Sequence, residues 1–455
     1  MKKLLLFLLL SCSLNFAQNL VKEKEIGPGV NYRIYIDSEK PLYYCVIEAD
    51  LNNPKVKIGV GLANDRIGFG GEGTSQFSKR RLESGEYILG AVNGDFFGGD
   101  PWQAENSSAS DGEIFKGISH RNRSLFGIDE NGQPFSGVLK YSGFLFEGSD
   151  TLFLNSFNYN KEAGVGLFYY LCTPVTKVDS GYTGYVLNKK TENRLVVGNE
   201  LPAGQEILLT EDRYLLRVPE GTAIPFESWD KVTLEHRFND NLTNIQTLIG
   251  GLPYLIRNGE IPKTYIGLEG LSSERFVDVN PRTAVGFNKE RNKVYIVAVD
   301  GRNVNISAGI PLLDLAAFMK GLGCYEAVNL DGGGSTTMTV RDEIVNHPSD
   351  ATGERPVHNF LYVAANDAQK NYLKEIKFTQ DTLHVKKGEF FNPDFVFYDM
   401  WGFELLDTSF VVDFHVSDEI QETEKGLVIY EEGIYELPAS SGTLTDTLVI
   451  SVKGE

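Results

Sequence analysis

Apolar and polar residues alternate along residues 31 to 62: Tyr32, Ile34 and Ile36, then Tyr43, Cys45 and Ile47, then Val56, Ile58 and Val60. A repeat of two is the signature of strands with one buried face. A polar lead-in, 19 to 30, precedes them. Residues 74 to 84, with Thr74, Ser75, Phe77 and Leu82, read as a capped helix. Tyr87 to Val92 reads as a strand that runs directly into Asn93-Gly94-Asp95-Phe96-Phe97, and a long polar loop, 98 to 113, follows. From 114 to 248 the pattern is one of many short strands, with turn signals at Asn131-Gly132, Ser142-Gly143 and Pro219-Glu220-Gly221. Asn258-Gly259 closes a further hairpin-like stretch that begins at Ile249-Gly250-Gly251.

The stretch from 282 to 338 is the most regular. Val294 to Val299 is an apolar strand ending at Asp300-Gly301-Arg302. Ser307 is a plausible helix N-cap. Leu312, Leu315, Ala316, Met319 and Leu322 then fall at helical spacing, and Gly321 and Gly323 suit the helix end. Ala327 to Leu330 is a second strand, ending at Asp331. Strand, helix and strand in about forty residues read as a βαβ unit with parallel strands. Asp300 and Asp331 would then leave the sheet at one carboxyl edge, where ligand sites of open α/β sheets lie. Asp95 also follows an apolar strand, so three carboxylates are expected to converge. Beyond about 369 the helical pattern stops, and short strands such as Phe395-Val396-Phe397-Tyr398, Val411-Val412-Asp413-Phe414 and Thr447-Leu448-Val449-Ile450 remain. The expected fold class is therefore α+β: a mixed-sheet domain with a βαβ unit over 19–368, followed by a small all-β immunoglobulin-like sandwich over 369–455. The polar stretch Asn366 to Asn371 marks the boundary.

Length and composition add limits. At 455 residues the chain is long for one domain, and 42% apolar with 23% charged residues is a globular composition. The net charge of −19 argues against nucleic-acid binding, which needs a positive field. It does not exclude an anionic substrate held by local arginines. Lys2 and Lys3 precede seven apolar residues, Leu4 to Leu10, which is the form of an export signal over 1–18 and too short to span a bilayer. Cleavage after Ala17 would give a periplasmic, cell-surface or secreted protein. Leu9-Leu10-Ser11-Cys12 also looks like a lipoprotein box, so a lipid anchor at Cys12 is the alternative. No later stretch suits a transmembrane helix. Cys45, Cys172 and Cys324 form no Cys-x-x-Cys pair and read as buried apolar residues, with one disulfide among them as the alternative.

The candidate chemistry centres on Asn329-Leu330-Asp331-Gly332-Gly333-Gly334-Ser335-Thr336. A glycine triplet after a carboxylate allows close backbone approach, and its amides could form an anion-binding nest. It is not a Walker loop, because no lysine follows. Nor does it match Gly-x-Ser-x-Gly, because Thr337 stands where the last glycine belongs. Taken alone it is also compatible with a tight turn. Arg282 and Arg302 offer planar forks matched to phosphate or carboxylate. Arg355 is a third such fork, within Glu354-Arg355-Pro356-Val357-His358-Asn359. His358 by itself does not read as catalytic.

Together the segments are more specific. Asn93-Gly94-Asp95-Phe96-Phe97, Gly250-Gly251-x-Pro253, Pro281-Arg282-Thr283-Ala284-Val285-Gly286, Asp300-Gly301-Arg302, the glycine-triplet segment and Arg355-Pro356-Val357-x-Asn359 follow in an order that resembles the phosphodiester glycosidase family. The resemblance covers roughly residues 30 to 365. No signature of the family falls between 114 and 248. The family includes many exported bacterial proteins linked to exopolysaccharides. The resemblance implies hydrolysis of sugar-1-phosphodiesters, such as N-acetylglucosamine-1-phosphodiesters in phosphorylated glycans. On that reading Asp95, Asp300 and Asp331 are the pool of catalytic carboxyl groups. Arg282, Arg302, Arg355, Gly94 and the amides of Gly332, Gly333 and Gly334 meet the phosphodiester. Asn93, Thr283, Asn329, Ser335, Thr336 and Asn359 orient hydroxyls and phosphate oxygens. No cofactor is required, although Asp95 and Asp331 with nearby carbonyls could hold Ca²⁺ or Mg²⁺. The rival class is a non-catalytic envelope protein that binds glycans or serves as a scaffold in polysaccharide export.

Overall fold

A computed structural model describes residues 18–37, 39–98, 102–119, 122–171, 175–191, 193–239, 242–406 and 410–454. The expected export signal up to residue 17, with Cys12, and Asp100 and Cys172 lie outside the described residues. Within them the chain is mostly β, with three short α-helices at Thr74–Glu83, Glu274–Val277 and Leu312–Gly321. The α+β expectation thus overstates the helical part.

Two sheets form the centre. The first has seven strands in the order Gln18–Gly27, Val30–Asp37, Leu42–Asp50, Lys293–Val299, Arg282–Phe287, Glu326–Asn329 and Tyr254–Ile256, and every neighbouring pair is antiparallel. Alternation explains its two apolar faces. Cys45, Ile47, Ala49, Val294, Ile296 and Ala298 face the second sheet. Tyr44, Val46, Val297 and Val299 face the Leu312–Gly321 helix through Leu315, Phe318 and Met319. The second sheet has five strands: Glu343–Ile344, Met338–Val340, Tyr87–Asn93, Asn359–Ala365 and Val56–Leu62. Val92, Leu361 and Met338 are cross-strand neighbours, and Gly90, two residues from Val92, lies against Ile47 of the first sheet. The Thr74–Glu83 helix covers the other face, with Phe77 stacked on Phe360 at 4.3 Å between ring centroids. The centre is therefore helix, sheet, sheet, helix.

The strand–helix–strand segment departs from a simple βαβ unit. Lys293–Val299 and Glu326–Asn329 are each antiparallel to Arg282–Phe287, which lies between them. They run in the same direction but are not hydrogen-bonded neighbours. The helix begins after Pro311, not at Ser307. Ser307 Oγ instead donates to the Asp300 carbonyl (2.6 Å) and accepts from Tyr43 N–H (3.2 Å). Gly323 ends the helix at φ +105°, and Cys324 N–H reaches back to the Met319 carbonyl (3.0 Å).

Residues 108 to 250 build a thirteen-stranded sheet around a separate apolar cluster that includes Tyr141, Leu145, Leu167, Leu187, Leu216 and Leu248. Ser142-Gly143 is not a turn; both residues lie inside the strand Tyr141–Glu147. A side chain at Gly143 would crowd Leu154 and the Tyr141 hydroxyl, so the glycine serves close strand approach. The stretch 98 to 113 is not a free loop either. Asn106, Ser107, Ser108 and Ser110 are buried, and Ser110 Oγ accepts from Val60 N–H (3.0 Å). Cys45 and Cys324 are buried free thiols.

The C-terminal residues form three small sheets of three, four and three strands over their own apolar cluster, rather than the two facing sheets expected of an immunoglobulin-like sandwich. Of Val411 to Phe414, only Asp413–Phe414 is strand. This region is pinned to the centre by a buried ion pair. Arg341 Nη2 and the Tyr87 hydroxyl both donate to Asp399 Oδ2 (2.6 and 2.7 Å), and Asp399 Oδ1 accepts from Trp401 and Phe403 N–H. Removing one member of a buried pair leaves the other charge uncompensated. Asp399→Ala is expected to destabilise the fold by about 3–5 kcal/mol, measured as a lowered urea midpoint.

Candidate functional site

Strand direction brings the site together. Tyr87–Asn93, Lys293–Val299 and Glu326–Asn329 end at one edge, and the antiparallel strands Arg282–Phe287 and Asn359–Ala365 begin there. Asn93, Asp95, Arg282, Asp300, Asp331 and Asn359 consequently leave the two sheets on the same side.

Asn93 holds this edge closed. It is fully buried, its Nδ2 donates to the Asp331 carbonyl (2.6 Å), and its Oδ1 accepts from Thr283 Oγ1 (2.7 Å) and Thr337 N–H (3.2 Å). Thr336 Oγ1 lies 3.4 Å from Thr283 Oγ1. Asn93, Thr283 and Thr336 are thus occupied with one another. Gly94 passes under Asn359 so closely that a Cβ there would stand 2.9 Å from the Asn359 carbonyl oxygen, and its own carbonyl accepts from Asp331 N–H (3.0 Å). Asn359 Oδ1 accepts from Asp95 N–H (2.8 Å), leaving its Nδ2 buried without a partner among the described residues.

Asp95 and Asp331 form the carboxyl pair of the site. Asp95 is buried and accepts from Asn106 N–H (2.7 Å) and Asn106 Nδ2 (2.8 Å). Asp331 accepts from Gly332 N–H (2.9 Å) and from Ser335. Burial pushes both carboxyls up to about 6, against the pull of these donors, and the Asp95 charge adds to the rise at Asp331. Asp331 opens onto a cavity of about 310 Å³ lined also by Phe96, Phe276, Asn280, Arg282, Asn329 and Gly333. Asn329 Nδ2 is spent on the carbonyls of Leu252 (2.7 Å) and Leu330 (2.9 Å), so its buried Oδ1 is left as an acceptor without a partner among the described residues.

Arg282 is 4% exposed, and no carboxylate lies within 4 Å of its guanidinium among the described residues. Nε donates to the Ile310 carbonyl (3.1 Å) and Nη2 to the Asp278 carbonyl. Burial lowers it to about 10. The Asp278 charge acts on it only from beyond ion-pair distance, and a buried cation without a direct ion pair on a cavity wall is suited to an anion.

The glycine triplet differs from a simple nest. Gly332 N–H goes to Asp331 and Gly333 N–H to the Pro281 carbonyl (2.9 Å), so two of the three amides are engaged within the chain. The triplet instead makes room for side chains. Gly333, at φ +63°, lies beneath Arg302, whose Nη2 would stand 2.9 Å from a Cβ. Gly334 lies beneath Asp350 and Arg355, which pair through two bonds (2.7 and 3.0 Å). Arg355 Nη1 also reaches Ser335 Oγ at 3.4 Å.

Asp300 leaves the same edge but is held apart from the pair. Its carboxylate accepts from His347 N–H, His347 Nδ1 (2.7 Å) and Asn346 Nδ2 (2.9 Å). Burial raises its pKa against these bonds. Asn106, His347 and Asp350 are contacts that sequence pattern does not reveal, because each sits in a polar stretch without periodicity. Among the described residues no group of three or more His, Cys, Asp or Glu side chains is placed to hold a metal ion.

Residues 176–364 match the family model described as phosphodiester glycosidase, so the resemblance carried by the Arg282 and glycine-triplet segments holds over that span. N-acetylglucosamine-1-phosphodiester alpha-N-acetylglucosaminidase from Bos taurus is 36% identical over 114 residues, 23% of this chain and 20% of that protein. The chain thus spans about a fifth of the length of this curated relative. A hypothetical protein from Synechocystis shares the fold at a TM-score of 0.62, with 19% identity, over 76% of this chain and 64% of that one. A protein described as exported, from Burkholderia pseudomallei, does so at 0.54, with 20% identity, over 73% and 74%.

Two carboxyls in one buried neighbourhood titrate as a pair. Followed by carboxyl ¹³C NMR, Asp95 and Asp331 are expected to ionise near pH 6. Asn106→Ala removes the Nδ2 donor that favours the anion and keeps the backbone one, so it should move the Asp95 midpoint upward.

Proposed function

We propose that the chain is an exported phosphodiester glycosidase that hydrolyses sugar-1-phosphodiesters. The observation that carries this reading is the cavity wall itself, which the Asp331 carboxyl shares with Arg282, a buried guanidinium that forms no ion pair among the described residues. The guanidinium supplies the charge that a phosphodiester needs. The family match over 176–364 supports the same chemistry.

The step breaks the bond between the anomeric carbon and the phosphate oxygen. The electron pair leaves with the phosphate monoester, and water supplies the oxygen that replaces it. A phosphate monoester is a good leaving group, so the main demand is for a carboxylate facing the anomeric carbon. Asp331 opens onto the cavity and takes this role, meeting the carbon directly or through the attacking water. Asp95 lies behind it, bound by Asn106, and acts on Asp331 through its charge. Arg282 and Arg302 flank Gly333 and offset the diester's negative charge. Sugars joined through phosphodiesters within exported polysaccharides are the proposed substrate class.

Asp331→Asn tests the reading on a panel of sugar-1-phosphodiesters, with released sugar as the measurement. Loss of about 10²–10⁴-fold in kcat is expected with the fold retained. Release of no sugar by the unaltered protein from any member of the panel would overturn it. Because burial raises Asp331 to about 6, its carboxylate is lost as pH falls through that value, and kcat/KM should drop on the acid side of pH 6. Asp95→Asn removes a neighbouring negative charge, so the acid limb should move to lower pH.

A further inference from the structure

A second cavity, of about 340 Å³, opens beside the first. Asp300, Arg302, Ser307, His347 and Ser349 are among its lining residues. Arg302 joins the two spaces: its guanidinium lies over Gly333, which borders the first cavity, and it reaches Asn280 Oδ1 (3.5 Å), whose residue also lines the first cavity. On its other side it reaches Ser349 Oγ (3.3 Å) and stands 4.0 Å from Asp350. These are long contacts for a guanidinium, and nearly half of the side chain is exposed. The residue itself sits at φ +63°, a backbone region that an arginine rarely adopts.

His347 is built differently from an ordinary surface histidine. Its ring is half exposed, yet it is fixed on two sides. Nδ1 bonds Asp300 Oδ2 at 2.7 Å, and the ring packs edge-on against Tyr43 with centroids 5.1 Å apart. Asp300 is 2% exposed and is itself held by His347 N–H and Asn346 Nδ2. A buried carboxylate gripping one ring nitrogen fixes the tautomer and aims the other nitrogen. A latch that served only to anchor the 346–349 segment would need the backbone bonds and not an exposed ring.

We propose that His347, with Arg302 and Ser349, contacts the phosphoryl group of the substrate from the side opposite Arg282, and that Asp300 is the positioning residue for His347. This rests on the phosphodiester reading of the site. Nδ1–H donates to the Asp300 carboxylate, so Nε2 meets the ligand. With a proton taken up from water, Nε2 donates to a phosphate oxygen, and the Asp300 carboxylate offsets the ring charge. The sugar then fills the cavity at Asp331, the diester lies across Gly333, and the remainder of the substrate extends through the second cavity.

The test uses the full chain and inorganic phosphate, followed by imidazole ¹⁵N NMR and by calorimetry. Phosphate should shift the His347 signals, identified by their loss in His347→Gln. His347→Gln should weaken phosphate binding at least tenfold, whereas His384→Gln, at an exposed site in the C-terminal region, should leave it unchanged. Asp300→Asn should move the ring toward the Nε2–H tautomer and change the pH profile of phosphate binding, whereas a purely structural Asp300 would leave that profile unmoved. With a sugar-1-phosphodiester, His347→Gln should raise KM, while hydrolysis of the same sugar carrying an uncharged nitrophenyl leaving group should keep its KM. Phosphate binding of equal strength in His347→Gln, or a His347 ring untouched by phosphate, overturns the proposal. Absence of turnover on every diester would count against the glycosidase reading alone, since the phosphate titration judges His347 independently.

Discussion

The edge that carries the site depends on one buried amide. Asn93 is anchored at the end of a strand of the five-stranded sheet, and its side chain binds Thr283 and the Asp331 carbonyl, both from segments of the seven-stranded sheet. The bonds from Thr283 Oγ1 and Thr337 N–H are shielded from water and that to the Asp331 carbonyl partly so, and they gain from the low dielectric and would be costly to leave unmade. An aspartate would lack the donor for the Asp331 carbonyl, and a leucine would strand three polar groups. The position of Asp331 relative to Gly94 and Asp95 follows from this clasp, and with it the closeness of the two carboxyls.

Much of the central architecture is legible in the chain. Leu42–Asp50 and Lys293–Val299 are buried almost throughout because both of their faces meet apolar neighbours, so the single buried face expected around Cys45 is in fact two, and Leu312–Gly321 shows its helical stripe because one side meets the sheet. Strand order is less legible. Arg282–Phe287 lies between two strands that read as a parallel pair, and its place is decided by pairing across sequence distance rather than by its own pattern. Ser142-Gly143 shows a related ambiguity, since a glycine that permits close strand approach has the same local signature as one that permits a turn. In the site, the stretches with glycine and charge at characteristic spacing are the ones that stand out. Their partners do not. Asn106, His347 and Asp350 act through side-chain bonds that leave no periodic trace.

The site mixes charges of both signs within an acidic chain, with Arg282 and Asp331 on one cavity wall. A net charge of −19 repels anions at long range, but salt screens that field beyond roughly 10 Å. Inside the cavity the nearest charges decide: Asp331 shares the wall with Arg282, whose buried guanidinium feels Asp278 without a direct ion pair among the described residues. An anion would meet the guanidinium only after entering the cavity and losing water, which favours selectivity over speed of capture.

Asn106 has a consequence for how this fold can change over time. It stands two residues before the first strand of the thirteen-stranded sheet, yet both of its bonds to Asp95 lie inside the central edge. The outer strands of the thirteen-stranded sheet can change without touching these two bonds. Its point of attachment is not free, because the same stretch that leads into the sheet also solvates a buried carboxylate. Variation in this lineage should therefore accumulate outward from a root that stays nearly constant, as branches do from a graft.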